Sequence, residues 1–93
     1  MAEWTTRESL EDHFRRHGDD VGARDIADFA RLADLTIRDG VPFTFLRTGR
    51  LRMGYYHRRS KRFVVANDEG KALSLSRQSE NHVRTLAGST YRR

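Results

Sequence analysis

Arg24-Asp25-Ile26-Ala27-Asp28-Phe29-Ala30-Arg31-Leu32-Ala33-Asp34-Leu35-Thr36-Ile37-Arg38-Asp39-Gly40-Val41-Pro42-Phe43-Thr44-Phe45 is the stretch in which the apolar period changes, and that change decides the fold. Ile26, Phe29, Ala30, Ala33 and Ile37 recur at i, i+3, i+4, i+7 and i+11, the stripe of a helix that buries one face, here from about Arg24 to Arg38. Gly40 is the stop signal behind it. Past Pro42 the alternation Phe43-Thr44-Phe45 has the period of a strand, in which successive side chains point to opposite faces.

Upstream lies a second helical pattern. Thr5 or Thr6 caps a helix predicted over Arg7 to about Arg16, with Glu8 near the positive end of its dipole. Leu10, Phe14 and His17 form its stripe with His13 beside it, and Gly18 is the expected stop before the connection Asp19-Asp20-Val21-Gly22. Downstream, Thr48-Gly49-Arg50 supplies a turn, and Leu51-Arg52-Met53 alternates with Tyr55 continuing the face. Arg62-Phe63-Val64-Val65-Ala66 reads as a strand, turned by Asn67-Asp68-Glu69-Gly70 into Ala72-Leu73-Ser74-Leu75-Ser76. Ser79 caps a last short helix that ends at Ala87 before Gly88.

This order predicts one α+β domain over residues 1–93, helical and acidic over 1–40, mainly strands and basic over 41–93. Two N-terminal helices pack on one face of an antiparallel sheet of about four strands, and the short C-terminal helix follows. The other face, with its alternating arginines and hydroxyl residues, is expected to stand open to solvent and ligand.

Composition narrows the function. The 93 residues include no cysteine, which excludes disulfides and thiolate metal sites. No apolar run reaches the ~18 residues of a membrane helix, and Met1-Ala2-Glu3-Trp4-Thr5-Thr6 is unlike a signal peptide, so a cytoplasmic protein without a membrane partner is expected. Nothing in the pattern signals an oligomer, and a monomer is expected for the free chain. Residues 1–40 carry ten acidic residues and six arginines, a balance of −4, whereas residues 41–93 carry three acidic and twelve basic residues, a balance of +9. Such asymmetry points to a polyanionic partner for the second half, RNA before others. Lys61 and Lys71 are the only lysines among the 18 basic residues, and arginine gives the planar, bidentate contact that suits phosphate. Tyr55-Tyr56-His57-Arg58-Arg59-Ser60-Lys61-Arg62 is the densest basic run, with rings that can stack on bases. Tyr56, His57, Arg58, Arg59, Ser60, Lys61 and, further on, Arg77 are the candidate RNA contacts, although adjacent Tyr55 and Tyr56 must point to opposite sides of a strand.

Acid–base chemistry rests on the histidines. His13 and His17, four apart, share a helix face. They lack the third and fourth ligands of a zinc site and the glutamate of an HExxH arrangement, so neither metal nor cofactor is expected. Histidines at a helix end also serve the dipole, as does Arg16, and Ser74 reads equally well as a solvent-facing strand residue. The remaining reading is metal-free RNA cleavage, which needs a base for the 2′-hydroxyl proton, cations for the phosphorane charge and an acid for the leaving oxygen.

His13-Phe14-Arg15-Arg16-His17-Gly18-Asp19-Asp20-Val21-Gly22 resembles the K-H-A/G-x-D-F-G segment of the colicin D-type ribonuclease toxins, within the barnase–EndoU–colicin–RelE-like group. Tyr56, Ser60, Phe63-Val64-Val65, Asp68-Glu69-Gly70, Ser74 and Ser79-Glu80-Asn81-His82-Val83 follow in the order of that family's later features, so the likeness runs from Leu10 to Gly88. It implies a bacterial endoribonuclease toxin that cuts tRNA by 2′-hydroxyl attack and leaves a 2′,3′-cyclic phosphate. An acidic immunity or antitoxin protein would restrain it, and it would act free or as the delivered tip of a larger protein. Within that pattern His17 is the catalytic histidine with His13 beside it, Arg16 the preceding basic residue, Ser74 the strand hydroxyl that holds phosphate, and Arg77 a basic residue after it. The sequence departs from the pattern at Arg16 (lysine in the family), at Val21 (phenylalanine) and at Ser76, where tryptophan is usual. The alternatives from the residues alone are a non-catalytic nucleic-acid-binding module with an Arg-rich sheet surface, and a domain that docks an oppositely charged protein.

Overall fold

The computed structural model describes residues 3–91. Helix α1 (Arg7–Val21) starts where Thr6 Oγ1 accepts the Ser9 N–H at 2.9 Å. It does not stop at Gly18 but continues for another turn, ending at Gly22, whose φ of 77° is the left-handed cap conformation. Gly18 serves packing instead. A Cβ there would sit 2.9 Å from two carbons of the Phe14 ring, so the glycine makes room for that ring against the helix. Asp25 accepts the Asp28 N–H at 2.8 Å and opens α2 (Ile26–Asp39). Its stripe buries Phe29, Leu32 and Ala33.

Four antiparallel strands follow in sequence order: β1 (Val41–Arg47), β2 (Arg50–His57), β3 (Arg62–Ala66) and β4 (Ala72–Arg77). Positive φ at Thr48 (50°) and Gly49 (78°) makes the two-residue turn whose twist matches a hairpin. Asn67 Oδ1 accepts the N–H groups of Glu69 (3.0 Å) and Lys71 (2.9 Å) and so closes the third turn. A bulge lies between the Val65–Ser74 and Ala66–Ala72 pairs. Helix α3 (Glu80–Ala87) is capped by Ser79, and a short 3-10 turn over Gly88–Thr90 leads to Tyr91. The architecture is α+β, with two N-terminal helices, a four-stranded antiparallel sheet and a short C-terminal helix.

The sheet has a core on each side. α1 and α2 cover one face, where Val21, Phe29, Leu32 and Ala33 meet Val64, Ala72 and Leu75, with Tyr55 at the margin. The opposite face is not open: Phe43, Phe45, Tyr56, Phe63 and Val65 are buried there against Val83, Ala87 and Tyr91. The C-terminal segment covers it because that face carries five large apolar side chains, which water would penalise at ~25 cal/mol per Å² left exposed. The edge of β4 is partly covered as well, since Ala72 donates to Glu3 O (2.7 Å) and accepts from Thr5 N–H (3.1 Å).

Candidate nucleic-acid interface

Ion pairing divides the arginines into two populations. In the helical half, Arg7 pairs with Glu11 (3.2 Å), Arg16 with Asp12 (2.8 Å) and, more loosely, Arg15 with Asp12 (3.7 Å). Arg31 (2.6 Å) and Arg24 (3.6 Å) flank Asp28, and Arg38 sits on Asp39 (2.8 Å). All six arginines of that half are thereby opposed by a carboxylate. In the sheet half, Glu80 takes both Arg58 (3.2 Å) and Arg84 (2.9 Å), and those are the acid partners found there among the described residues. Arg47, Arg50, Arg52, Arg59, Lys61, Arg62, Lys71 and Arg77 face no carboxylate within ion-pair distance among the described residues.

One group of these cations gathers at the β2–β3 turn. His57, Arg62 and Arg77 lie side by side across β2, β3 and β4, with Arg59 and Lys61 exposed in the turn next to them. The Arg62 guanidinium donates to Val21 O through Nε (3.2 Å) and Nη2 (3.0 Å), which pins the end of α1 to the sheet. Ser60 N–H donates to His57 Nδ1 at 3.3 Å and the Ser60 hydroxyl lies 2.7 Å from the same nitrogen. Nδ1 is therefore tied to the turn through Ser60. The ring lines a shallow cleft of about 100 Å³ with Leu35, Thr36, Asp39 and Arg62. Arg38 first of all, through its hydrogen bond, and the nearby His57 hold the Asp39 carboxyl below its usual range.

The other predicted site residues are placed as follows. Tyr56 is only 1% exposed and its hydroxyl donates to Gln78 O at 2.8 Å, so it belongs to the core and does not stack on a base. Burial, before any charge, pushes its phenol up. Arg58 is tied to Glu80, and Ser60 holds the turn. His17 stacks on His13 with ring centroids 5.8 Å apart, and His13 in turn lies 6.0 Å from the Trp4 ring. His17 Nδ1 is 3.5 Å from Asp20 Oδ2, an electrostatic contact without a hydrogen bond, and the Nδ1 atoms of both histidines are buried without a hydrogen-bond partner.

Ser74 pairs with Val65 and so shares the α3 face of the sheet, whereas His17 rides on α1 over the opposite face. The sheet thus separates His17, with Arg16 and His13, from Ser74, whereas Arg77 pairs with Arg62, which reaches the C-terminal end of α1. Asp39 is not singled out by the sequence pattern, and neither are the hairpin arginines 47, 50 and 52. The signal for the arginines is the scarcity of acids after residue 40, which identifies them only when it is read position by position and not as a total. Among the described residues no group of three or more His, Asp or Glu side chains is placed to hold a metal ion, and no helix is long and apolar enough to cross a membrane. Comparison of the chain with protein-family models, curated proteins and solved structures gives no match.

The histidine stack has a thermodynamic consequence. Burial first, then the charges of Arg16 and His17, lower the His13 pKa below 6.5, with Asp12 opposing weakly. The folded protein binds that proton less readily than the unfolded chain, so the contribution of His13 is complete above about 6.5 and is lost as pH falls below it. Denaturant midpoints measured between about pH 7.5 and 5.5 are expected to decline for the wild type and to decline less for His13→Gln. Parallel declines would show that His13 protonates with equal ease in both states. The carboxylates of Asp28, Asp39 and Glu80, all lowered, act in a separate window near and below pH 4.

Proposed function

We propose that the protein binds RNA through the basic end of its sheet, with Arg59, Lys61 and Arg77 on the phosphates beside His57. The observation that carries this reading is the segregation of ion pairs: among the described residues the helical arginines are all matched to carboxylates, whereas in the sheet half Arg58 and Arg84 share Glu80 and the other cations are unmatched. Unmatched guanidinium groups on a folded surface neutralise phosphates and displace the cations condensed on the nucleic acid, and that release drives non-specific binding. Titration of a labelled single-stranded RNA at several salt concentrations tests it. Log affinity is expected to fall linearly with log salt, by ~0.7 for each phosphate neutralised. Absent or salt-independent binding would refute it.

A second reading adds cleavage. It is favoured by His17, a half-buried imidazole beside the Asp20 carboxylate, and by the likeness of its segment to metal-independent ribonuclease toxins. On this reading tRNA is the substrate, His17 moves protons at the 2′-hydroxyl or the leaving oxygen, and Arg16 steadies the charge while remaining in contact with Asp12. Ser74 lies across the sheet from His17, so its part would be played at a separate phosphate. An acidic inhibitor protein would bind the same unmatched cations. Incubation of total tRNA in EDTA with wild type and with His17→Ala decides it: fragments with 2′,3′-cyclic phosphate ends, lost in the variant, support cleavage, and intact tRNA refutes it.

A further inference from the structure

The β1–β2 hairpin ends in a feature that the basic β2–β3 turn does not explain. Leu46 and Leu51 are 69% and 48% exposed, the large hydrophobic residues left in solvent among those described. They are not scattered: they pair directly across the hairpin, and the turn that joins their strands is the tight Thr48-Gly49. Side chains alternate along a strand, so the neighbouring positions face the other way. Arg47 pairs with Arg50, and Arg52 pairs with Phe45, all on the α3 side. The Arg47 guanidinium stacks 5.6 Å from the Phe45 ring centroid and Arg52 Nη1 donates to Leu51 O at 3.3 Å, which holds both cations against the ribbon. None of the three arginines has a carboxylate partner among the described residues. The tip is thus a ribbon with an apolar face and a cationic face.

A flat partner can touch one such face. A strand folded into a loop touches both, because it offers base surfaces on one wall and phosphates on the other. We infer that the tip of the β1–β2 hairpin enters a loop of unpaired nucleotides in a structured RNA, Leu46 and Leu51 packing on base faces while Arg47, Arg50 and Arg52 hold the surrounding phosphates. This rests on the RNA-binding reading and specifies its substrate class. In a duplex the base faces are stacked away and the leucines find no surface, so unpaired bases are required. Strand β2 has eight residues and joins this tip to His57, which at ~3.4 Å per residue puts the two basic ends on the order of 24 Å apart. One RNA can therefore be held by its loop at one end of the sheet and by its backbone at the other.

The test uses Leu46→Ser/Leu51→Ser, which keeps every charge and replaces two side chains that support no core, so folding is retained and is checked by its thermal transition. Fluorescence anisotropy compares binding to an RNA stem-loop and to a fully paired RNA duplex of the same length. The expected result is a loss of about tenfold or more on the stem-loop, no change on the duplex and an unchanged salt slope. Equal affinities of variant and wild type on both RNAs, or an equal loss on both, would overturn the inference while leaving RNA binding itself intact. Binding of the wild type to neither RNA would bring down the underlying reading, and the inference with it. Wild-type binding to phosphatidylserine vesicles that the leucine variant loses, with stem-loop binding unaffected, would assign the tip to a lipid surface and overturn the inference as well.

Discussion

Replacing Arg59, Lys61 and Arg77 together by glutamine is expected to lower RNA affinity by well over tenfold at low salt. The slope of log affinity against log salt should fall by about two units, three phosphate contacts at ~0.7 each. All three side chains are exposed and none has a carboxylate partner among the described residues, so the stability of the folded state should stay within about 0.5 kcal/mol. The decisive comparison is a second triple variant, Arg15→Gln/Arg24→Gln/Arg38→Gln, with the same change in net charge. Those arginines already face Asp12, Asp28 and Asp39, and Asp12 and Asp28 keep Arg16 and Arg31 when the three are replaced. If RNA reads local unmatched charge, the helical triple leaves the slope almost unchanged. Equal losses in the two triples would mean that binding follows net charge alone, with no localised interface.

The switch in apolar period around Gly40 was enough to order the elements, because burial on one face leaves its spacing in the chain whatever the tertiary detail. The charge division was legible for a related reason. Helical pairs such as Arg7 with Glu11 and Asp12 with Arg16 are set by i, i+4 spacing, and the second half simply has few acids to pair. What the sequence left open is decided by contacts between distant segments. Gly18 has the residue type of a helix stop, yet its place under the Phe14 ring is a packing role that spacing does not reveal. Tyr55 and Tyr56 had to diverge, but only the covering of the second face by Val83, Ala87 and Tyr91 made Tyr56 a core residue. Ser74 is the sharpest case. In a regular strand it would share a face with Ala72, which packs under α1 and α2 on the side of His17. The bulge at Leu73 breaks that alternation: Ser74, Leu75 and Ser76 keep a regular register on β3, with Leu75 on the helix side and Ser74 on the α3 side, and Ala72 is the residue shifted to the helix side. The burial of Leu75 under α1 and α2 sets Ser74 on the face away from His17, and which face the helices cover is a contact between distant segments that the alternation of Ala72-Leu73-Ser74-Leu75-Ser76 does not reveal.

Gly54→Ala is expected to be among the most damaging single substitutions in the sheet, although a strand usually tolerates or prefers alanine. Gly54 lies directly opposite Phe43, and a Cβ on it would sit 2.6 Å and 2.8 Å from the Cε carbons of that ring. The ring has little freedom to retreat. Phe63 stacks on it with centroids 5.8 Å apart and planes 7° from parallel, Tyr91 meets it edge-on at 5.6 Å, and Phe45 closes the third side at 5.8 Å. Overpacking of this kind costs ~1–3 kcal/mol. At the upper end the Tm of a domain this size falls by roughly 10–20 °C. Gly54 does not have positive φ, so backbone conformation alone would favour alanine by ~0.5–1 kcal/mol, and the two effects have opposite signs. The sign of the measured change therefore tells which one rules. Phe43→Leu should destabilise the wild type by vacating part of the aromatic cluster, yet recover stability in the Gly54→Ala background, where the smaller side chain makes room for the new methyl group. A double-mutant cycle with a favourable coupling of about 1 kcal/mol or more would locate the clash at this pair. Additive losses would place the damage elsewhere, and a stabilising Gly54→Ala would mean that the Phe43 ring does not lie over the strand at all.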